Sequence, residues 1–282
     1  MRFIKMHGIG NDYVFVDCLG ERPERIGDPA ALAVEISRPH FGVGSDGLVL
    51  IEPSQIADFS MRIFNADGSE AEMCGNASRC IGKYAYERGL TRRQEITLET
   101  KAGVRTLWLS ARDGVVTSVR VDMGEPRLRP GEIGVDLPGE RVLLAPIQAA
   151  GRTWQMTCVS VGNPHAVVFV EEDPAGLDLQ TVGPAFENHP LFPQRTNAEF
   201  VQVLGRDALR MRVWERGSGE TQACGTGACA ALVASSLCSL TNRRATVHLA
   251  GGDLDVEWDP YSGHAFITGP AAFVYEGEWG PS

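Results

Sequence analysis

The chain has 282 residues, room for two domains of ordinary size, and its 43% hydrophobic and 22% charged residues are those of a globular protein. No apolar run approaches the roughly 20 residues that cross a bilayer, which argues against a membrane partner. Acidic residues outnumber basic ones 36 to 26, a net charge of −10, so the average field repels polyanions and excludes nucleic acid as the main partner. The doublets Arg92-Arg93 and Arg243-Arg244 read as solvated surface.

In chain order, a Gly10-Asn11 turn precedes an apolar strand, Val14 to Asp17, of the β-branched and aromatic residues that strands prefer. Asp28-Pro29 supplies an N-cap and an N1 proline for a helix over Ala30 to Ser37, which Pro39 ends. Strands follow at Leu48–Ile51 and Met61–Phe64. After Cys74, the run Gly75 to Gly89 reads as a helix closed by glycine, and Glu95 to Met123 reads as strands punctuated by Gly103 and Asp113-Gly114. The order then recurs. Gly162-Asn163 precedes Ala166–Val170, Phe200–Val203 and Met211–Trp214 follow, and after Cys224 comes an Ala-rich, almost wholly apolar helix, Gly225 to Leu240, expected to be buried. Thr246 to Ile267 closes with strands broken at Gly251-Gly252.

The recurrence is visible residue by residue. Met61-Arg-Ile-Phe-Asn65 matches Met211-Arg-Val-Trp-Glu215 at an offset of 150, and the same register sets Glu70 on Glu220, Cys74 on Cys224 and Gly75 on Gly225. Arg38-Pro39 aligns with His189-Pro190, and Gly10-Asn11 with Gly162-Asn163, at offsets of 151 and 152. Such internal repetition reveals architecture that local propensity cannot. The expected class is α+β: two homologous halves, each a sheet wrapped around a central helix. The boundaries fall near Met123-Gly124 and Gly269-Pro270, giving 1–123 plus 270–282, and 124–269.

Seven cysteines, at 18, 74, 80, 158, 224, 229 and 238, make an odd number in a long chain, which favours reduced thiols over a disulfide scaffold. The opening residues lack the apolar stretch of a secretory signal, so a cytoplasmic protein is expected. The spacings of Cys74 and Cys80, and of Cys224 and Cys229, fit neither zinc ligation nor a thioredoxin-like pair, and no metal is expected.

Cys74 and Cys224 each stand at a helix start, where unpaired N–H groups and the macrodipole stabilise a thiolate. Glycine after each lets the backbone approach a ligand and offer its N–H groups to a carboxylate. Two such sites facing one another suit a two-base racemase or epimerase, in which a thiolate takes an α-proton and a thiol delivers one to the opposite face. Cys18, Cys80, Cys158, Cys229 and Cys238 read instead as small buried hydrophobes. Two rival classes are a thiol redox protein using the pair as a reversible disulfide, and a cysteine hydrolase or acyltransferase. The second would need a base such as His7, His40, His165 or His189, and leaves one of the matched cysteines without purpose. Gly42-Val-Gly-Ser-Asp-Gly47 fits G-x-G-x-x-G but precedes a strand instead of opening a helix, so it reads as a turn.

The chain resembles the diaminopimelate epimerases over essentially its whole length. The resemblance rests on Lys5-Met-His-Gly-Ile-Gly-Asn-Asp12, Phe64-Asn-Ala-Asp-Gly-Ser-Glu70, Cys74-Gly-Asn76, Gly162-Asn-Pro-His165, Arg195-Thr-Asn197 and Trp214-Glu-Arg-Gly-Ser-Gly-Glu-Thr-Gln-Ala-Cys-Gly-Thr-Gly227. It implies a cofactor-independent isomerase that interconverts LL- and meso-diaminopimelate in lysine and peptidoglycan synthesis, with the active site at the cleft of two pseudo-symmetric domains and a homodimeric assembly. It implies that Cys74 and Cys224 are the catalytic acid and base, with Gly75-Asn76 and Gly225-Thr226 holding the reacting carboxylate. It also implies that Asn11, Asn65, Asn163, Asn197, Glu215 and Arg216 bind substrate, chiefly its distal amino-acid end. A distal zwitterion wants one cation, one anion and amides that donate and accept.

Many family members carry glutamine where this chain has Gly47, so no side chain is available there. The segment Asn76-Ala77-Ser78-Arg79 replaces the common Asn-Gly-Ala-Arg, a mild change. The nearest alternative is a proline or hydroxyproline racemase-like enzyme, which usually has histidine after the first Cys-Gly where Asn76 stands. No cofactor is expected: pyridoxal phosphate would want a Schiff-base lysine, and Lys5, Lys83 and Lys101 have no supporting motif.

Overall fold

A computed structural model describes residues 1–19 and 26–280. The last two positions of the expected C-terminal return lie outside the described residues. Two compact units emerge, one of Met1–Asp122 with Gly269–Ser282 and the other of Met123–Thr268.

The first unit runs β1 (Arg2–Gly8), β2 (Asn11–Asp17), α1 (Pro29–Ser37), β3 (Gly47–Glu52), β4 (Phe59–Asn65), the short β5 (Glu70–Ala71), α2 (Gly75–Glu87), β6 (Glu95–Thr100), β7 (Gly103–Arg112) and β8 (Val115–Gly124). The second runs α3 (Pro130–Ile133), β9 (Ala145–Ala149), β10 (Arg152–Ser160), β11 (Pro164–Val170), α4 (Leu179–Glu187), β12 (Asn197–Gly205), β13 (Ala208–Glu215), β14 (Gly219–Glu220), α5 (Gly225–Leu237), β15 (Arg244–Leu249), β16 (Gly252–Trp258) and β17 (Ala265–Gly269). Strand β18 (Ala272–Glu278) returns to the first unit and pairs with β1.

The two units share one pairing pattern. In the first, β1 pairs antiparallel with β18 and with β2, β2 parallel with β3, β3 antiparallel with β4, β4 parallel with β6, and β6, β7 and β8 follow antiparallel. In the second, β9, β10 and β11 are antiparallel neighbours, β11 is parallel to β12, β12 antiparallel to β13, β13 parallel to β15, and β15, β16 and β17 antiparallel. Each parallel step needs a crossover, and a helix supplies it every time: α1 and α2 in one unit, α4 and α5 in the other. The returning β18 fills in the first unit the place that β9 fills in the second. This is the α+β, twice-written architecture that the repeat implies.

Asp28 caps α1 by accepting the Ala30 N–H at 3.0 Å, and Pro29 sits in its first turn. In the second unit α4 carries Gly183 and Pro184, a composition that hides a helix from propensity arguments. Gly183 is there because a Cβ would come within 2.2 Å of the Trp214 ring. Helix α2 packs on β1, β2 and β7 with Ala77, Ile81 and Ala85 wholly buried. Helix α5 is buried almost all round, through Ala228, Cys229, Leu232 and Val233, among the strands β10 to β13, β15 and β16. It ends at Leu237, three residues before the expected Leu240, because Ser239 turns to φ 61°. In α2 the equivalent turn uses Gly89 at φ 75°, where the missing Cβ removes the strain. Among the described residues no helix is long and apolar enough to cross a membrane.

Candidate active site

Both α2 and α5 are 13 residues long, start at positions 150 apart, and take a cysteine as N-cap. Cys74 has extended backbone (φ −141°, ψ 116°), and its Sγ accepts the Ala77 N–H at 3.5 Å. Cys224 has φ −124° and ψ 109°, and its Sγ accepts the Gly227 N–H at 3.3 Å. A sulfur in this position does the work of a capping oxygen, taking one of the helix's unpaired donors. The N–H groups of Gly75 and Asn76, and of Gly225 and Thr226, fall in the first turn of each helix, where a carboxylate is favoured by the dipole.

In the first unit a hydrogen-bonded cluster forms around the thiol. Asn76 Nδ2 donates to Asn11 Oδ1 at 2.9 Å, the Cys74 Sγ lies 3.7 Å from the same oxygen, and Asn11 Nδ2 donates to Asp46 Oδ2 at 2.7 Å. Asp46 also accepts the Asp12 N–H at 3.0 Å, while Lys5 pairs with Asp12. Burial pushes the Asp46 carboxyl upward, against the pull of the Asp12 and Asn11 hydrogen bonds. The structure thus brings Asn11, expected at the substrate's distal end, beside Cys74 and Asn76. Asn65 ends β4 and donates through Nδ2 to Ser69 Oγ at 3.0 Å; among the described residues no hydrogen bond joins it to the Cys74 cluster.

In the second unit Cys224 is buried and lies 3.4 Å from Thr226 Oγ1. Glu215, which ends β13, is hydrogen-bonded to Thr221 Oγ1 and to Cys224. Asn197 Nδ2 donates to Pro164 O at 2.8 Å and its Oδ1 accepts the Arg216 N–H at 2.9 Å, tying the start of β11 to the turn after β13. The Arg216 side chain donates to Gln194 O at 3.1 Å. Asn163 Oδ1 meets His165 Nε2 at 2.9 Å, and His165 Nδ1 meets Glu199 Oε1 at 2.7 Å.

A helix start lowers a thiol pKa, yet that of Cys224 stands well above its usual value. Burial is the main cause, with the Glu215 and Glu199 carboxylates next, and the Thr226 and Gly227 hydrogen bonds only partly offset them. The five remaining cysteines are free thiols. Cys80, Cys158 and Cys229 are buried as expected, whereas Cys18 and Cys238 are only half-buried, each at the margin of a strand or helix end.

Asp46, Thr221 and Glu199 were not singled out by the sequence. Asp46 sits in the loop read as a plain turn, and nothing local announces that its carboxylate reaches Asn11. Glu199 had a readable signal: a carboxylate within the otherwise apolar run Ala198 to Val201, whose side chains are all buried. The glycine at 47 is required by packing, since a Cβ there would lie 2.1 Å from the Phe64 carbonyl oxygen.

The family model for diaminopimelate epimerase matches residues 3–129 and 157–274. A diaminopimelate epimerase of Acetivibrio thermocellus is 55% identical over 278 residues, covering 99% of this chain and 98% of the relative. One from Methanococcus maripaludis is 50% identical over 278 residues, covering 99% of each. Among solved structures, a hydroxyproline epimerase from Agrobacterium vitis superposes with a TM-score of 0.70 at 18% identity over 98% of this chain and 91% of that one. A PhzF-family phenazine biosynthesis protein from Bacillus anthracis gives 0.69 at 18%, over 98% and 97%. Those two share the fold. With half of its residues identical to diaminopimelate epimerases from end to end, and the two helix-capping cysteines set in the same repeat, the chain belongs to the diaminopimelate epimerase family.

Proposed function

We propose that Cys74 and Cys224 are the acid–base pair by which this isomerase converts LL-diaminopimelate to meso-diaminopimelate. In the forward direction one sulfur, as thiolate, takes the α-proton: the C–H bond breaks, an S–H bond forms, and the electron pair spreads onto the carboxylate. The other sulfur, as thiol, gives its proton to the opposite face of the same carbon and is left as thiolate. The N–H groups of Gly75-Asn76 and Gly225-Thr226 stabilise the charge that develops on the carboxylate. No cofactor is called for, because the hydrogen-bonded carboxylate takes up the electron pair.

The observation that carries this reading is that the same residue type caps the same 13-residue helix in both units, with glycine next in each. The halves 1–123 plus 270–282 and 124–269 then contribute one proton carrier apiece. Asn11, Asn65, Asn163, Asn197, Glu215 and Arg216 hold the distal amino-acid end. We assign the enzyme to the cytoplasm, as a homodimer in the route to lysine, on the family's precedent and the seven free thiols.

Proton NMR of the reduced protein with LL-diaminopimelate in D₂O tests it. α-Proton exchange with appearance of the meso isomer supports the proposal. Exchange with proline in place of diaminopimelate would keep the chemistry and overturn the substrate, and silence with both would return the redox reading.

A further inference from the structure

The loop before β3, Gly42 to Asp46, has no part in the acid–base scheme, yet backbone hydrogen bonds hold it in a fixed place. The Gly42 N–H donates to Arg38 O at 2.8 Å and the Gly44 N–H to Ile36 O at 3.0 Å, which tie the loop to the end of α1. The Asp46 N–H donates to Asp12 O at 2.8 Å, and Asp46 O accepts the Ala66 N–H at 3.0 Å, next to Asn65. These bonds use main chain only, so they place the side chain at 46 whatever it is. Its Oδ2 accepts the Asp12 N–H at 3.0 Å and the Asn11 Nδ2 at 2.7 Å.

Asn11 is buried, and the oxygen of its amide accepts the Asn76 Nδ2 at 2.9 Å and stands 3.7 Å from the Cys74 Sγ. Asn76 is buried as well. Turning both amides over would exchange donor and acceptor and keep a hydrogen bond between them, so the two asparagines do not choose their own orientation. Asp46 chooses it. A backbone N–H can only donate, so the Asp12 contact marks Asp46 Oδ2 as an acceptor, and only the nitrogen end of the Asn11 amide suits it. Asn163, the match of Asn11 in the repeat, meets His165 Nε2, a ring nitrogen that can donate or accept.

We propose that Asp46 is a positioning residue: its carboxylate fixes the Asn11 amide so that an oxygen, and not an N–H, faces the Cys74 sulfur. This rests on the reading of Cys74 as an acid–base residue. An acceptor at that place receives the S–H once the sulfur has taken the α-proton, and gives nothing to the thiolate before it. A donor would do the reverse, since a hydrogen bond to the charged form favours it and weakens it as a base.

A double-mutant cycle on kcat and KM, in the reduced full-length protein with LL-diaminopimelate, tests it. Asp46→Asn keeps the shape and the backbone bonds but lets the Asn11 amide turn over, and kcat should fall about tenfold or more, as small misplacements at a reacting centre cost. Asn11→Ala removes the group through which Asp46 acts, so adding Asp46→Asn to it should change kcat by less than about twofold. An equal loss in both backgrounds, a loss confined to KM, or wild-type kcat in Asp46→Asn overturns the proposal. Neutron diffraction of the wild type, in which deuterium marks each amide nitrogen, decides it without a variant: the Asn11 nitrogen should face Asp46, and an oxygen found there overturns it. Full turnover by Cys74→Ser would overturn the catalytic reading instead, and leave the orientation of the amide standing.

Discussion

His165 Nδ1 lies 2.7 Å from Glu199 Oε1, and neither side chain has any exposed surface. The histidine's other nitrogen meets Asn163 Oδ1 at 2.9 Å, so one chain of polar groups runs from β12 to the turn before β11. The second Glu199 oxygen has no hydrogen-bond partner among the described residues, which leaves this pair finely balanced. Removing one member of a buried pair strands the other, at about 3–5 kcal/mol. Glu199→Ala should therefore melt roughly 10 °C below the wild type, given 2–4 °C per kcal/mol in domains of this size. A shift within about 2 °C, measured by calorimetry, would mean that the pair contributes little.

Cys74→Ser and Cys224→Ser should each slow epimerisation at least about 100-fold, since a hydroxyl is a far poorer proton carrier at neutral pH and general acid–base steps supply 10² to 10⁴. The two variants need not behave alike. With Cys224→Ser the Cys74 sulfur can still remove a proton, so α-proton exchange in D₂O should outlast isomer formation. Rapid formation of meso product by either single variant would sink the two-base scheme.

Much of the fold could be read from the residues. Met61–Phe64 and Met211–Trp214 fall inside β4 and β13, and the helices after both cysteines start at the expected glycines. The match at an offset of 150 carried this, because a repeat reports tertiary equivalence directly. Elements without a partner signal were lost. β1 looks like an unremarkable N-terminal run, β18 is short and half-exposed, and α4 contains Pro184 and, where Trp214 presses on it, Gly183. At the site, the repeat singled out Cys74 and Cys224 and only the resemblance pointed to Asn11, and neither announced the electrostatic setting of the two sulfurs. The rise of the Cys224 pKa comes from burial and from Glu215 and Glu199, groups nine and 25 residues away in sequence. A helix start acts only over its first turn, and neither carboxylate lies there.

Position 47 offers a steric test. Gly47 begins β3 opposite Asn65, and a Cβ would meet the Phe64 carbonyl oxygen at 2.1 Å and its carbon at 3.0 Å. These are backbone atoms in a paired strand, so they cannot step aside cheaply. Gly47→Ala should lose about 1–3 kcal/mol, as overpacked sites do. Gly47→Gln should be at least as unstable and gain no affinity for substrate. A stable Gly47→Gln with a lowered KM would show that the loop can open for a side chain.

The buried thiols also set an alkaline limit on stability. Burial raises Cys80 and Cys158 to about 12, and raises Cys224 and Cys229 as well. In the unfolded chain each ionises near about 8.5. Above that pH the native state holds more protons than the unfolded one, so stability falls as pH rises. The slope is about 1.4 kcal/mol per pH unit for each thiol still protonated in the fold. Below about pH 8 the thiols are protonated in both states and contribute no slope. Urea midpoints in reductant should thus be flat from pH 7 to 8 and fall steadily from about 9 to 10. Replacing Cys80 and Cys158 together by alanine should lower the starting stability through lost packing, yet visibly flatten the alkaline decline. An alkaline slope as steep in the double variant as in the wild type would mean that those two thiols ionise freely in the native fold.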